Sequence, residues 1–188
     1  MKKMIALTLV LVMVAAMAVG CGGNKTDNNS NIESALVLLE NVWGKYADEE
    51  KPYIRGGDFS EENLKENAPG KYSLTDAEAI QSELVISVDT QALVDDAASM
   101  IHGMNANTFT CGAFRVKNSA DVNKVVSAME ESIQNNRWMC GIPETVLIMT
   151  VDNYVVSCFG ATELINTFKT NMQAAYADAK VAVEEPIV

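Results

Sequence analysis

One pattern constrains this chain more than any other: two β-hairpins, each followed by a helix, in the second half of the sequence. Ala98 to Met104 and Asn107 to Val116 read as strands joined by a Gly/Asn-rich connection, residues 103–107. Ser119 to Trp138 then reads as an amphipathic helix, with Val122, Val125, Val126, Met129 and Ile133 on one face. Asn118 or Ser119 can cap its start, and Gly141 and Pro143 stop it. Thr145 to Val151 and Tyr154 to Phe159 make the second hairpin across Asp152-Asn153, a pair suited to a two-residue turn. Leu164, Ile165, Phe168, Met172 and Ala175 mark the last helix. The pattern predicts an α+β fold: a four-stranded, mostly antiparallel sheet from two hairpin–helix units, with the helices packed on one face. An additional N-terminal helix is predicted where Ile32, Leu36, Leu39, Val42, Trp43 and Tyr46 recur at helical spacing, capped by Asn31 or Ser34.

Between the N-terminal helix and the hairpins, Tyr53 to Ser73 carries Gly56-Gly57, Pro69-Gly70 and many charges, and reads as a long irregular excursion. Thr75 with Glu78 has capping-box spacing for a short helix reaching Leu84, ahead of a turn region around Asp89 to Asp96. Val181 to Val188 reads as a frayed tail. Protease is therefore expected to cut residues 22–31 and much of 53–73 well before 98–176.

The N-terminus has a different character. Lys2 and Lys3 precede an apolar run from Met4 to Ala18, broken only by Thr8, and Ala18-Val19-Gly20 lead into Cys21. A positive start, a short apolar run and small residues before a cleavage site are the marks of a secretory signal. A transmembrane anchor is the competing reading, but the run is at the short limit for spanning. The arrangement resembles the lipobox of bacterial lipoproteins, which implies that Cys21 carries a diacylglyceryl group and becomes the first mature residue. Gly22 to Asn31 offers no apolar side chain to bury and reads as a polar tether, about 5–6 Å times the square root of its length. The expected organisation is thus a signal over 1–20, lipidated cysteine and tether over 21–31, one α+β domain over 32–180, and a tail over 181–188.

The formal charge is −11, and loss of the two signal lysines leaves the remainder two units more negative. That balance argues against nucleic acid and against electrostatic adhesion to anionic lipid, leaving the acyl chains as the membrane attachment. The expected partners are the membrane through that anchor, and a membrane-protein complex or a small ligand. No cofactor is called for, because no oxygen-rich calcium loop, CxxC pair or second histidine is present.

With Cys21 lipidated, Cys111, Cys140 and Cys158 remain, an odd number that allows at most one internal disulfide. Each is flanked by small or apolar residues, which favours three buried, reduced and poorly reactive thiols; an exported domain could instead oxidise Cys111 with Cys158 if their strands are neighbours with close Cα atoms. Met100, His102 and Met104 alternate along a predicted strand and would share a face, with Cys111 on the partner strand. Such soft ligands suit Cu(I), although packed methionines and an ordinary hydrogen-bonded histidine explain the pattern as well. A dyad of His102 with a cysteine is the nucleophilic alternative. Trp138 to Pro143 reads either as an apolar lip or as a plug for the end of the core, while Asn105, Asn107 and Thr108 shape the hairpin connection. Asn105, Asn107 and Trp138 are the candidate ligand or partner surface.

Residues 100–110 (Met-Ile-His-Gly-Met-Asn-Ala-Asn-Thr-Phe-Thr), 137–143 (Arg-Trp-Met-Cys-Gly-Ile-Pro) and 152–157 (Asp-Asn-Tyr-Val-Val-Ser) are similar to a group of small Gram-positive lipoproteins. The resemblance covers most of the mature chain, chiefly Ala97 to Tyr176. It implies a fold and no established activity; some similar proteins are labelled transport-complex subunits. The expectation is a non-enzymatic binding or accessory module on the outer face of the cytoplasmic membrane. The alternative is an extracytoplasmic enzyme or metal-handling protein using His102 with a cysteine or methionines.

Overall fold

The structure is a computed structural model that describes residues 32–188. The expectations for the signal, Cys21 and the tether lie outside the described residues. Among the described residues no helix is long and apolar enough to cross a membrane.

The fold is mixed α+β around an antiparallel sheet, but the sheet has eight strands where four were expected. The strands are β1 (Ile54–Gly56), β2 (Lys65–Glu66), β3 (Gly70–Lys71), β4 (Val94–His102), β5 (Phe109–Val116), β6 (Thr145–Val151), β7 (Tyr154–Gly160) and β8 (Lys180–Pro186). The helices are α1 (Ala35–Trp43), α2 (Ala77–Glu83), α3 (Val88–Gln91), α4 (Val122–Gln134) and α5 (Thr162–Ala175). The order across the sheet is β2-β1-β4-β5-β7-β6-β8, with β3 also paired to β4. The two predicted hairpins are β4–β5 and β6–β7, and they join through their second strands, with Arg115 opposite Tyr154 and Phe109 opposite Gly160.

Helices cover both faces of the sheet, not one. α1 and α5 bury Leu38, Leu39, Val42, Ile165, Phe168 and Met172 against Met100, Cys111, Leu147, Met149 and Cys158. On the other face α2 and α4 bury Ile80, Val125, Met129 and Ile133 against Ile101, Phe114, Ile148, Val155 and Phe159. The reason is in the strands themselves. β7 is buried at every position and β5 at all but Arg115, so neither face can meet water without exposing a row of apolar side chains.

The helix starts are fixed by local and distant acceptors. The Ser34 hydroxyl accepts from the Val37 N–H at 3.2 Å, and the Asp96 carboxylate, from β4, accepts from the Ala35 N–H at 2.7 Å. A strand thus supplies part of the cap that orients α1. Asp76, rather than Thr75, caps α2 by accepting from the Glu78 and Ala79 N–H groups. Ser119 to Asp121 forms a single 3-10 turn before α4, whose buried residues Val125, Val126, Met129 and Ile133 match the predicted face.

Three further segments differ from expectation. Residues 53–73 are not an irregular excursion: β1 and β3 lie along the outer edge of β4, with Ile54 opposite His102 and Gly70 opposite Ser99. Asp58 organises the intervening turn, accepting from Ser60, Asn63 and the Ser73 N–H. The region around Asp89 to Asp96 is helix α3 followed by the start of β4. The expected tail is β8, an edge strand paired with β6 from Thr145↔Pro186 to Thr150↔Lys180. Its side chains are mostly exposed, so its apolar content hid a strand whose backbone bonds hold it.

Candidate functional site

At one end of the sheet, the β4–β5 connection and the segment after α4 come together over the face covered by α2 and α4. β4 ends at His102. The His102 Nδ1 accepts from the Met104 and Asn105 N–H groups, both at 3.3 Å, and the Asn105 side-chain oxygen accepts from the Asn107 N–H at 3.0 Å. The Asn107 amide then donates to the carbonyls of Met139 and Gly141, each at 2.6 Å. That fork holds residues 139–141 in an unusual path, with Cys140 and Gly141 at φ 64 and 108. The connection is also seated from outside, because a Cβ on Gly103 would fall 2.2 Å from the Tyr53 ring. Tyr53 accepts from the Gly103 N–H through its carbonyl, and its hydroxyl donates to Glu66.

These contacts frame an open cleft of about 550 Å³, within the range of small-ligand sites. Ile101, Val85, Trp138 and Phe159 give it an apolar wall, and the Trp138 and Phe159 rings sit 4.9 Å apart at 56°. Trp138 lines this cleft, and its indole N–H is buried without a hydrogen-bond partner. An unpaired buried donor costs about 1–3 kcal/mol. Val85 is held at φ 55, a conformation a β-branched residue rarely adopts, so backbone strain borders the same space.

The polar lining of the cleft is mixed, with Ser82, Glu83, Asn105 and Asn136 beside His102 and Arg137. With Nδ1 accepting two backbone N–H groups, the neutral His102 ring carries its proton on Nε2. Arg137 is exposed at the rim. Glu83 takes the Tyr72 hydroxyl at 2.6 Å; burial raises its carboxyl above the usual range against the lowering effect of that bond. Met104 and Met139, 82% and 81% exposed, stand as an apolar lip, with Ile142 at 65%.

The sequence candidates therefore separate. Asn105, Asn107, Trp138, His102 and Met104 meet at the cleft, while Met100 and Cys111 lie in the core on the opposite face. Met104 does not continue the alternation of Met100 and His102, because the strand ends at His102 and the chain turns there. Cys140 is exposed rather than buried, whereas Cys111 and Cys158 are buried. Among the described residues no cysteine lines the cleft with His102, and no group of three His, Cys, Asp or Glu could hold a metal ion. Val85 and Glu83 had no signal in the sequence; only the packing of α2 beside the β4–β5 connection brings them in. No known protein family matches the chain, and neither does any curated protein or solved structure.

Proposed function

We propose that this chain is a membrane-tethered binding module, held outside the cell through Cys21, that presents its cleft to a small ligand with an apolar body and an anionic acceptor group. The observation that supports this reading is the cleft itself, where an apolar wall of Ile101, Val85, Trp138 and Phe159 lies beside the His102 ring and the Arg137 guanidinium. A carboxylate would meet the guanidinium, while the wall of Ile101, Val85 and Phe159 takes the apolar part. The lipobox-like start and the polar tether support the location, and a lipid-anchored binding module accords with the lipoprotein resemblance. The enzyme or metal-handling alternative has less support, since Nδ1 of His102 is taken up by the backbone and its nearest companions are not thiols.

Two tryptophans make the test direct. In a Trp43→Phe background, Trp138 fluorescence should respond saturably to decanoate and at least tenfold more weakly to decanol, which lacks the charge. A tenfold difference is about 1.4 kcal/mol, within reach of one charge-assisted hydrogen bond. Combining Arg137→Ala with His102→Ala should remove the preference. A response that is linear in ligand, or equal for acid and alcohol, refutes the reading.

A further inference from the structure

Cys111 on β5 and Cys158 on β7 stand directly opposite each other where the two hairpins join. The flanking ladder bonds set the phase of this pairing. Val116 N–H donates to Asn153 O at 2.8 Å, and Ala161 N–H to Thr108 O at 2.9 Å. These make Arg115↔Tyr154 and Phe109↔Gly160 non-hydrogen-bonded pairs, and Cys111↔Cys158, an even number of residues from both, is another. At such a pair the Cα atoms are about 4.5 Å apart, inside the roughly 4.4–6.8 Å window that a disulfide spans. The two cysteines are free in the structure, with the Cys158 thiol donating to Cys111 Sγ at 2.6 Å, and both residues are fully buried. Two thiolates sharing one tetrahedral metal ion would be held about 3.7 Å apart, farther than these sulfurs stand.

We infer that Cys111 and Cys158 form a cross-strand disulfide in the exported protein, covalently joining the first hairpin–helix unit to the second. The inference rests on the extracytoplasmic location proposed above, where disulfides persist. The oxidant is a thiol oxidase that carries a reactive disulfide. The Cys111 thiolate attacks that disulfide, giving a mixed disulfide and releasing one oxidase thiolate. The Cys158 thiolate then attacks Cys111 Sγ, forming the new S–S bond and releasing the second thiolate. The two cysteine protons end on the oxidase thiols, and the oxidase is reduced by two electrons. Exchange happens before β5 and β7 close, because afterwards no reagent reaches either sulfur. Burial also pushes the Cys158 thiol well above its ordinary range, so a reduced pair would be inert once folded. Cys140, exposed after α4, is left as the free thiol.

The test uses the full chain from a host that exports it, with free thiols blocked by N-ethylmaleimide before lysis and again after unfolding, and the peptides mapped. The expected result is Cys140 blocked and the Cys111 and Cys158 peptides joined until reductant is added. If both cysteines are blocked without reductant while protease added to intact cells still cleaves the protein, the disulfide is overturned. If protease cannot reach the protein from outside, the location is what fails, and a second measurement decides the disulfide. The reduced, unfolded chain is refolded in oxidised and reduced glutathione. A Cys111–Cys158 link there supports the pairing, and any other link, or none, overturns it.

Discussion

Gly56→Ala should loosen the domain more than its size suggests, because residues 54–71 depend on two backbones touching. A Cβ on Gly56 would lie 2.2 Å from Gly70 N and 2.4 Å from Ala68 O, and one on Gly70 would lie 2.4 Å from Gly56 C. Every obstructing atom is backbone, so no rotamer change relieves the clash; β1 and β3 must separate by more than an ångström to reach ordinary contact near 3.4 Å. Ser99 suffers next. Its buried hydroxyl donates to Gly57 O and accepts from Gly57 N–H, both at 3.0 Å, and displacement of Gly57 leaves it without either. Overpacking costs about 1–3 kcal/mol and an orphaned buried hydroxyl about 1–3 more, so about 4 kcal/mol is expected. At about 2–4 °C per kcal/mol for a chain of this size, the melting midpoint should fall by roughly 10 °C. Gly44→Ala is the control: its Cβ would meet only Glu40 O at 3.4 Å and Asn41 O at 3.6 Å, in a helical backbone that alanine accepts. Calorimetry gives the midpoints, and limited proteolysis should show new cuts between residues 57 and 73 in Gly56→Ala alone. Midpoints within about 2 °C of each other, with the same cleavage pattern, would refute this account of the contact.

Two other outcomes follow from single side chains. Cells fed a fatty-acid analogue should label the native protein and not Cys21→Ala, and equal labelling would remove the membrane anchor from the proposal. Burial raises the Asp58 carboxyl, but the bonds from Ser60, Asn63 and Ser73 outweigh it and hold it below the usual range. Its contribution is therefore complete above the unfolded aspartate value and lost as pH falls through the lower folded one. Hydrogen exchange at Ser73 N–H, corrected for intrinsic rate, should accelerate in that acid window before the core amides do, and Asp58→Asn should move that acceleration to neutral pH. Uniform exchange across the domain would contradict it.

Local periodicity made much of this fold legible. The α4 face, the β6–β7 hairpin with its Asp152-Asn153 turn, and the α5 stripe are each set by residues within a few turns of one another. The antiparallel α+β character follows from them. Where the reading failed, the deciding partner was distant. β8 is a strand because β6 offers it an edge, and residues 54–71 are ordered because β4 does. Neither carries a sustained alternating apolar pattern, so the pairing offered by a distant strand decides them. The largely apolar runs of β5 and β7, broken by Thr110, Arg115 and Ser157, did carry the signal for helices on both faces, and a one-sided sheet was the wrong inference from them.

The candidate site divides in the same way. The residue types at its centre, His102 with Asn105 and Asn107, were visible as a connection shaped by side-chain bonding, and Trp138 as an aromatic at a helix end. That Asn107 pins residues 139–141, that Val85 is strained beside them, and that the Trp138 N–H is unpaired are properties of packing between segments far apart in the chain. So it is with the cysteines. The sequence by itself determined that an odd set of three would remain beyond Cys21, and its apolar flanks favoured reduced thiols. Only the tertiary structure decided that Cys111 faces Cys158, because partners across a sheet are chosen by strand order and register, which no residue's own neighbours specify.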